Sequence, residues 1–401
     1  MKGQLEEAWS RFVALVDQEQ ERQEKHTGEY PHYSVDGRWH RLPIDATSGW
    51  VDDTFYDHGN WTAGFGVGEA WLSTLDTDGA VPVSRSLRRN LADVARRATD
   101  DTTHDLGFLF YPAFSFGSVV GHLTHDESAA ALDAAGVLAS RFNEQGCYIQ
   151  AFGPQGDPRS ASTSTIDTMM NLPLLWWSSG VSSRHRGNGE RAKAHAVTSA
   201  RNFFRDDGST FHLIRFDPQT GALLEQGTFQ GASANSCWSR GQAWAIAGFA
   251  WAYGATADED LREAAERAWS YFEPRIPPDG VVPWDFGDSD PVATSDASAS
   301  AIAALGVLLL AACHPNEAHA DSLRSTAVSI LQRLDDKAVR RDGDQDGVLL
   351  RSCYSKPHGL GVDGATPYGD FYYGLALAVA TGRMSAKTLF GSQLPSFGVV
   401  E

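Results

Sequence analysis

Cysteine is scarce in this 401-residue chain: Cys147, Cys237, Cys313 and Cys353 lie far apart, with no Cys-x-x-Cys pair. That spacing argues against a disulfide framework and a thiolate zinc site. Histidine is more frequent, but no His-Glu-x-x-His or comparable ligand spacing occurs, so no metal site is expected. Basic residues are in deficit, 33 Lys and Arg against 51 Asp and Glu, for a net charge of −18. A field of that sign argues against nucleic acid and anionic membranes as partners. It leaves an acidic small substrate open, because local Arg and His govern a cleft once salt screens charges beyond roughly 10 Å. Also lacking is an apolar stretch near the roughly 20 charge-free residues of a membrane span. The N-terminal Met-Lys-Gly-Gln-Leu-Glu-Glu-Ala-Trp carries no secretory apolar run. The expectation is a cytoplasmic protein without a membrane partner.

What is present is helix, in two alternating kinds. Segments 5–25, 83–99, 125–142, 188–206, 258–273 and 317–335 place apolar residues at three-and-four spacing with charges between them. Segments 60–75, 105–120, 167–178, 238–254, 296–312 and 370–381 are apolar nearly all round and rich in Gly, Ala and Trp. A helix apolar on every face must be buried. Six outer and six inner helices in alternation predict an all-α fold, an (α/α)6 barrel of six helical hairpins forming one domain over 1–401. The long connections 146–164 and 211–231 are expected on the rim, where the alternation in Phe-His-Leu-Ile-Arg-Phe predicts small β pieces.

The openings of the inner helices converge on one mouth, and polar residues sit there. Asp105 precedes Leu-Gly-Phe-Leu-Phe-Tyr, and Asp167 precedes Thr-Met-Met-Asn-Leu-Pro-Leu-Leu-Trp-Trp. A charged Asp in such surroundings is costly to bury, so either a partner neutralises it or its pKa rises and it becomes a proton donor. The plain alternative is that each Asp caps its helix, and for Asp296 and Asp370 capping weighs at least as much as catalysis. Two such carboxylates among Trp, His, Arg and Gln favour a shared pocket. Arg240 and Trp244, four apart on one face, suit forked recognition of a carboxylate or hydrogen bonding to hydroxyls, with a flat apolar surface for a ring beside it. The run 342–347 imitates the start of a calcium loop, but position twelve is Cys353 rather than Glu, so an acidic Gly-rich turn is the better reading. Met169-Met170 and Trp176-Trp177 read as packing.

Six motifs together carry a resemblance: Asn-Trp-Thr-Ala-Gly-Phe at 60–65, His-Asp-Leu-Gly-Phe at 104–108, Asp-Thr-Met-Met-Asn-Leu-Pro-Leu-Leu-Trp at 167–176, Trp-Ser-Arg-Gly-Gln-Ala-Trp at 238–244, Asp-Ala-Ser-Ala-Ser-Ala at 296–301 and Tyr-Gly-Asp-Phe-Tyr-Tyr at 368–373. In this order the chain resembles the unsaturated glucuronyl hydrolases, glycoside hydrolase family 88. The resemblance implies the (α/α)6 barrel and release of a terminal 4,5-unsaturated glucuronic acid from lyase-made oligosaccharides, by hydration of the C4=C5 vinyl ether and without a cofactor. It implies Asp167 as general acid and base and Asp105 as the second essential carboxylate. The substrate pocket it implies holds Trp61, His104, Asn171, His212, Gln230, Arg240 and Trp244 as substrate-binding residues. Phe152 stands where relatives often carry Trp for the leaving sugar, and Ser352, Ser355 and Lys356 lie near where relatives meet that sugar. Thr168 replaces the more common Asn or Cys, a change not expected to touch the core chemistry. The implied partners are acidic unsaturated oligosaccharides, and a second copy of the chain as a homodimer is a candidate. The alternatives are the related family 105 unsaturated rhamnogalacturonyl or ulvan-type hydrolases, a glucuronidase acting on saturated sugars through two carboxylates, and a non-catalytic sugar-binding barrel.

Overall fold

The computed structural model describes residues 2–45, 47–53, 55–77, 83–123, 125–290, 294–341 and 343–390. Each predicted helical segment contains a helix. The outer helices are α1 (Lys2–Gln23), α3 (Arg85–Ala95), α6 (His125–Ser140), α8 (Asn188–Asn202), α10 (Glu259–Phe272) and α12 (Glu317–Lys337). The inner ones are α2 (Ala63–Ser73), α4 (Leu106–Phe110) continuing into α5 (Phe116–Val119), α7 (Leu172–Val181), α9 (Ser239–Thr256), α11 (Ala297–Cys313) and α13 (Pro367–Thr381). A last short helix, α14, covers Ala386–Leu389.

Local chemistry accounts for both kinds. In α10 the N-cap Asp258 accepts from Asp260 N, acids fill the first turn, and Leu261, Ala264, Ala265, Ala268, Trp269 and Phe272 make the single buried face. In α11 every residue from Ala297 to Ala311 is buried, so small Ala and Gly side chains let neighbouring helices close around it. Between α4 and α5 the chain makes a π turn over Tyr111–Ser115. Pro112 within it has no N–H to give, and the widened turn relieves that lost ladder bond and the ring's clash with the preceding turn.

The inner helices close a ring. α2 packs on α4, α4 on α7, α7 on α9, α9 on α11, α11 on α13, and α13 returns to α2. Outer helices back them, α1 against α2 and α13, α6 against α4 and α7, α8 against α7 and α9, α10 against α9, and α12 against α11. This is the (α/α)6 barrel. Met169, Met170, Trp176 and Trp177 are buried core residues, as packing requires.

Among the described residues only small antiparallel sheets decorate it: β1 (Glu29–Val35) with β2 (Arg38–Pro43), β3 (Gly49–Trp50) with β4 (Tyr56–Asp57), β5 (Phe142–Asn143) with β6 (Tyr148–Ile149), and the order β7 (Thr163–Thr165), β8 (Leu213–Phe216), β9 (Leu223–Gly227). β8 lies in the stretch whose alternation predicted it. Asp342 of the acidic turn lies outside the described residues; Asp346 further along it is an internal anchor, taking Arg22 Nη1 at 2.8 Å and Trp39 N at 2.9 Å.

Candidate active site

The two carboxylates come together because two inner helices begin side by side. Asp105 is the N-cap residue of α4, and Asp167 lies in a 3-10 turn, Ile166–Met170, that leads into α7. Close approach depends on Gly107: a Cβ there would sit 2.3 Å from Asn171 Cα. Asn171 ties the pair, its Oδ1 accepting from Phe108 N at 2.8 Å and its Nδ2 lying 3.4 Å from both Asp105 Oδ1 and the Asp167 carbonyl. Fully buried, Asn171 is a residue that positions the aspartates, which corrects its assignment to substrate binding.

The two aspartates are shifted in opposite directions. Burial alone would raise the Asp105 pKa, but His104, close contact with His58 and the Asn171 amide outweigh it and bring it down to about 2. His58 Nε2 lies 2.8 Å from Asp105 Oδ2, and His104 Nε2 lies 3.4 Å from Oδ1. For Asp167 burial raises the pKa; His104 pulls it down, the Asp105 charge pushes it up, and the net direction is upward. Asp167 Oδ1 is enclosed and has no hydrogen-bond partner in the protein. One carboxylate is thus favoured in its charged form and paired, the other is shifted toward its protonated form and has an oxygen without a protein partner.

His104 is buried, and burial lowers its pKa. Its Nδ1 lies 2.7 Å from Thr168 Oγ1, so the residue at 168 touches a pocket histidine whose Nε2 lies 3.4 Å from Asp105. His212 is also buried. Its Nδ1 accepts from Phe229 N at 3.4 Å and Gln230 N at 3.3 Å, which assigns the ring proton to Nε2, a buried atom with no protein partner. Burial, helped by Arg240 and His104, lowers its pKa to about 3, so the ring is a neutral donor at ordinary pH.

Arg240 departs from the uronate fork. Its Nη1 donates to Asp296 Oδ2 at 2.6 Å and to the Cys353 carbonyl, and its Nη2 to Gln230 Oε1 at 2.9 Å and the Tyr354 carbonyl at 2.6 Å. The terminal N–H groups are committed to holding the 353–354 loop and Gln230 over the mouth. With Oε1 taken, Gln230 presents its amide N–H2 as a donor. Trp244, 1% exposed and edge-on to Tyr368 and Tyr372, is packed into the barrel interior, which corrects the expectation of an open stacking face. Half-buried Trp61 supplies an aromatic surface, parallel to Tyr368 at 5.3 Å and donating Nε1 to Tyr354 Oη at 2.9 Å.

On the leaving-sugar side Phe152 is buried edge-on to Phe229. Ser355 Oγ meets His358 Nδ1 at 2.7 Å, and half-buried Lys356 donates to Thr294 and lies 3.9 Å from Asp290. Ser352 is buried, its hydroxyl turned back to the Leu349 carbonyl at 3.3 Å, and is corrected to a loop-holding residue. Asp296 caps α11 through Ser298 N, and Asp370 accepts from Val348 N and Leu349 N, so both serve structure.

His58 and Tyr354 were not anticipated. Neither stands at a helix opening; His58 precedes the Asn-Trp motif by two residues, and Tyr354 sits inside a loop read only for its serines and lysine. Buried arginines hold the surrounding backbone. Arg97 donates to the carbonyls of Ile44 and His58, and Arg141 to those of Gln150 and Gly153.

No protein-family model matches the chain. An unsaturated glucuronyl hydrolase of Bacillus sp. (strain GL1) is 38% identical over 333 residues, covering 79% of this chain and 85% of the relative. An unsaturated chondroitin disaccharide hydrolase of Streptococcus pneumoniae is 32% identical over 327 residues, covering 79% and 81%. The crystal structure of the unsaturated glucuronyl hydrolase from Bacillus sp. GL1 matches with a TM-score of 0.82 at 32% identity, over 92% of this chain and 96% of that one. Sequence identity and barrel geometry agree over most of the length, and the chain belongs to the unsaturated glucuronyl hydrolases, a group of glycoside hydrolases.

Proposed function

We propose that this protein releases the terminal 4,5-unsaturated glucuronic acid from lyase-generated, glycosaminoglycan-type disaccharides, with Asp167 as general acid and base. The observation that carries this reading is the asymmetric carboxylate pair: Asp105 has His58 Nε2 at 2.8 Å, whereas Asp167 is buried with Oδ1 unpartnered and its pKa pushed upward by burial. Asp167 gives its proton to C4, and positive charge develops at C5, stabilised by the ring oxygen. Asp167, now a carboxylate, takes a proton from water as the hydroxyl adds to C5. The hemiketal opens to a C5 ketone, and the hemiacetal left at C1 expels the aglycone with a proton. Each step moves only protons and water.

Asp105 keeps its negative charge beside Asp167 and so favours the protonated form needed first. His212 Nε2–H and the Gln230 amide are the proposed donors to the uronate, and Trp61 the surface under its ring. Phe152, Ser355 and Lys356 are proposed to face the leaving sugar. The related chondroitin disaccharide hydrolase supports a glycosaminoglycan source.

The test is loss of the ultraviolet absorbance of the unsaturated uronate on chondroitin, hyaluronan and heparin disaccharides, with Asp167→Asn alongside. Loss with wild type and none with the variant is expected, and the rates rank the leaving sugars. An intact chromophore on all three would refute this substrate class and turn attention to pectin- or ulvan-derived products, then to saturated glucuronides.

A further inference from the structure

We propose that His58 is a positioning residue for this reaction: its imidazole holds the Asp105 carboxylate in place and ionised, so that the proton shared by the two aspartates rests on Asp167. The inference builds on the reaction assigned above and concerns a residue outside the helix-opening motifs.

The geometry separates the two edges of Asp105. Oδ1 faces His104 Nε2 and Asn171 Nδ2, each at 3.4 Å, whereas Oδ2 has His58 Nε2 at 2.8 Å. His104 is a weak counter-ion, because burial lowers its pKa and its other nitrogen is spent on Thr168. The short contact therefore falls to His58.

Among the described residues no hydrogen bond ties the His58 ring into the fold. Both of its nitrogens are enclosed and make no hydrogen bond to the rest of the fold, which leaves the 2.8 Å approach of Nε2 to Asp105 Oδ2 as the polar contact of the ring. Its backbone is held independently. Arg97 Nη2 donates to the His58 carbonyl at 2.7 Å, and Gly59 takes a φ of +80° while its N–H donates to Asp57 Oδ1 at 2.9 Å. The chain thus delivers a histidine to the catalytic carboxylate at the end of the β3–β4 hairpin.

Other charges bear on the pair. Asp105 also feels His104, and its charge in turn acts on Asp167, Arg141 and Tyr354; His58 is flanked by His32, Asp57 and His104. Arg141 spends its donors on backbone carbonyls, and Asp57 is held by Gly59 and Ser48. His58 remains the group in short contact with Oδ2.

The experiment compares wild type, His58→Phe and His58→Gln by pH profiles of kcat/KM on an unsaturated disaccharide. It adds a carboxyl-carbon NMR titration of Asp105, assigned with Asp105→Asn. Removing an adjacent cationic or donor group raises a carboxyl pKa, so His58→Phe is expected to move the acid limb and the Asp105 titration up by about one pH unit. At a fixed pH on that limb this reads as about a tenfold loss of kcat/KM. KM should hold, because His58 is not assigned to the sugar. His58→Gln, which returns an N–H donor at this position, should recover part of the shift and supplies the reading if the Phe variant does not fold. A folded variant whose acid limb and Asp105 titration both stay at wild-type values overturns the proposal. Wild-type protein that leaves the chromophore intact would remove the reaction instead, and the NMR titration would still decide the pair.

Discussion

Replacing Arg240 by Met tests whether this residue is a substrate fork or a structural clamp. Its side chain is 3% exposed against an Asp296 side chain at 0%, with 2.6 Å between Nη1 and Oδ2. Removing the cation leaves a buried carboxylate whose remaining support is the Ser298 and Cys353 N–H groups and the Ser298 hydroxyl. Breaking one side of a buried pair costs about 3–5 kcal/mol. The carbonyls of Cys353 and Tyr354 and the Gln230 Oε1 lose their donors as well, so the upper half of that range is expected. Guanidinium unfolding gives the stability difference. Asp296→Asn in the Arg240→Met background should recover on the order of 2 kcal/mol, because the stranded charge is then gone. Kinetics on residual folded enzyme should show lowered kcat from a displaced 353–354 loop. An Arg240→Met enzyme of wild-type stability with KM raised tenfold or more would refute the clamp and restore the uronate fork.

Asn171→Ala should cost about 1–3 kcal/mol by stranding the Phe108 N–H, and should lower kcat more than it raises KM; a pure KM effect would return Asn171 to the substrate. Gly107→Ala forces a Cβ to within 2.3 Å of Asn171 Cα and should cost about 1–3 kcal/mol with most activity lost, read by unfolding and turnover together. Thr168→Val keeps the volume but leaves His104 Nδ1 without its partner, so kcat should fall at nearly constant KM, and unchanged kinetics would count against this role. Stability should also depend on pH through Asp105. A folded carboxyl held at about 2 against an ordinary 3.8 contributes about 2 kcal/mol, fully present above about pH 4 and lost as the pH falls through 2. Unfolding free energies of wild type should therefore fall more steeply over that window than those of Asp105→Asn.

The sequence by itself determined the barrel and the pair of acids. Period and polarity are local properties, so the charged outer faces and the all-apolar inner segments announced which helices turn one face to water and which turn none. Asp105 and Asp167 were legible because a carboxylate beside Phe, Leu and Met needs a reason to be there. What only the tertiary structure decided is how polar side chains spend their hydrogen bonds, since those partners lie far away in the chain. Arg240 looked like an open fork until Asp296, Cys353, Gln230 and Tyr354 were brought around it. Asn171 and Ser352 looked ready for a sugar, and their side chains face protein groups instead. Trp244 shares a helix face with Arg240, and the closing of the ring buried it. His58 carries no local sign of its role; a hairpin and the Arg97 clamp set it against Asp105, 47 positions later by their numbers, where a 2.8 Å contact fixes which aspartate holds the charge.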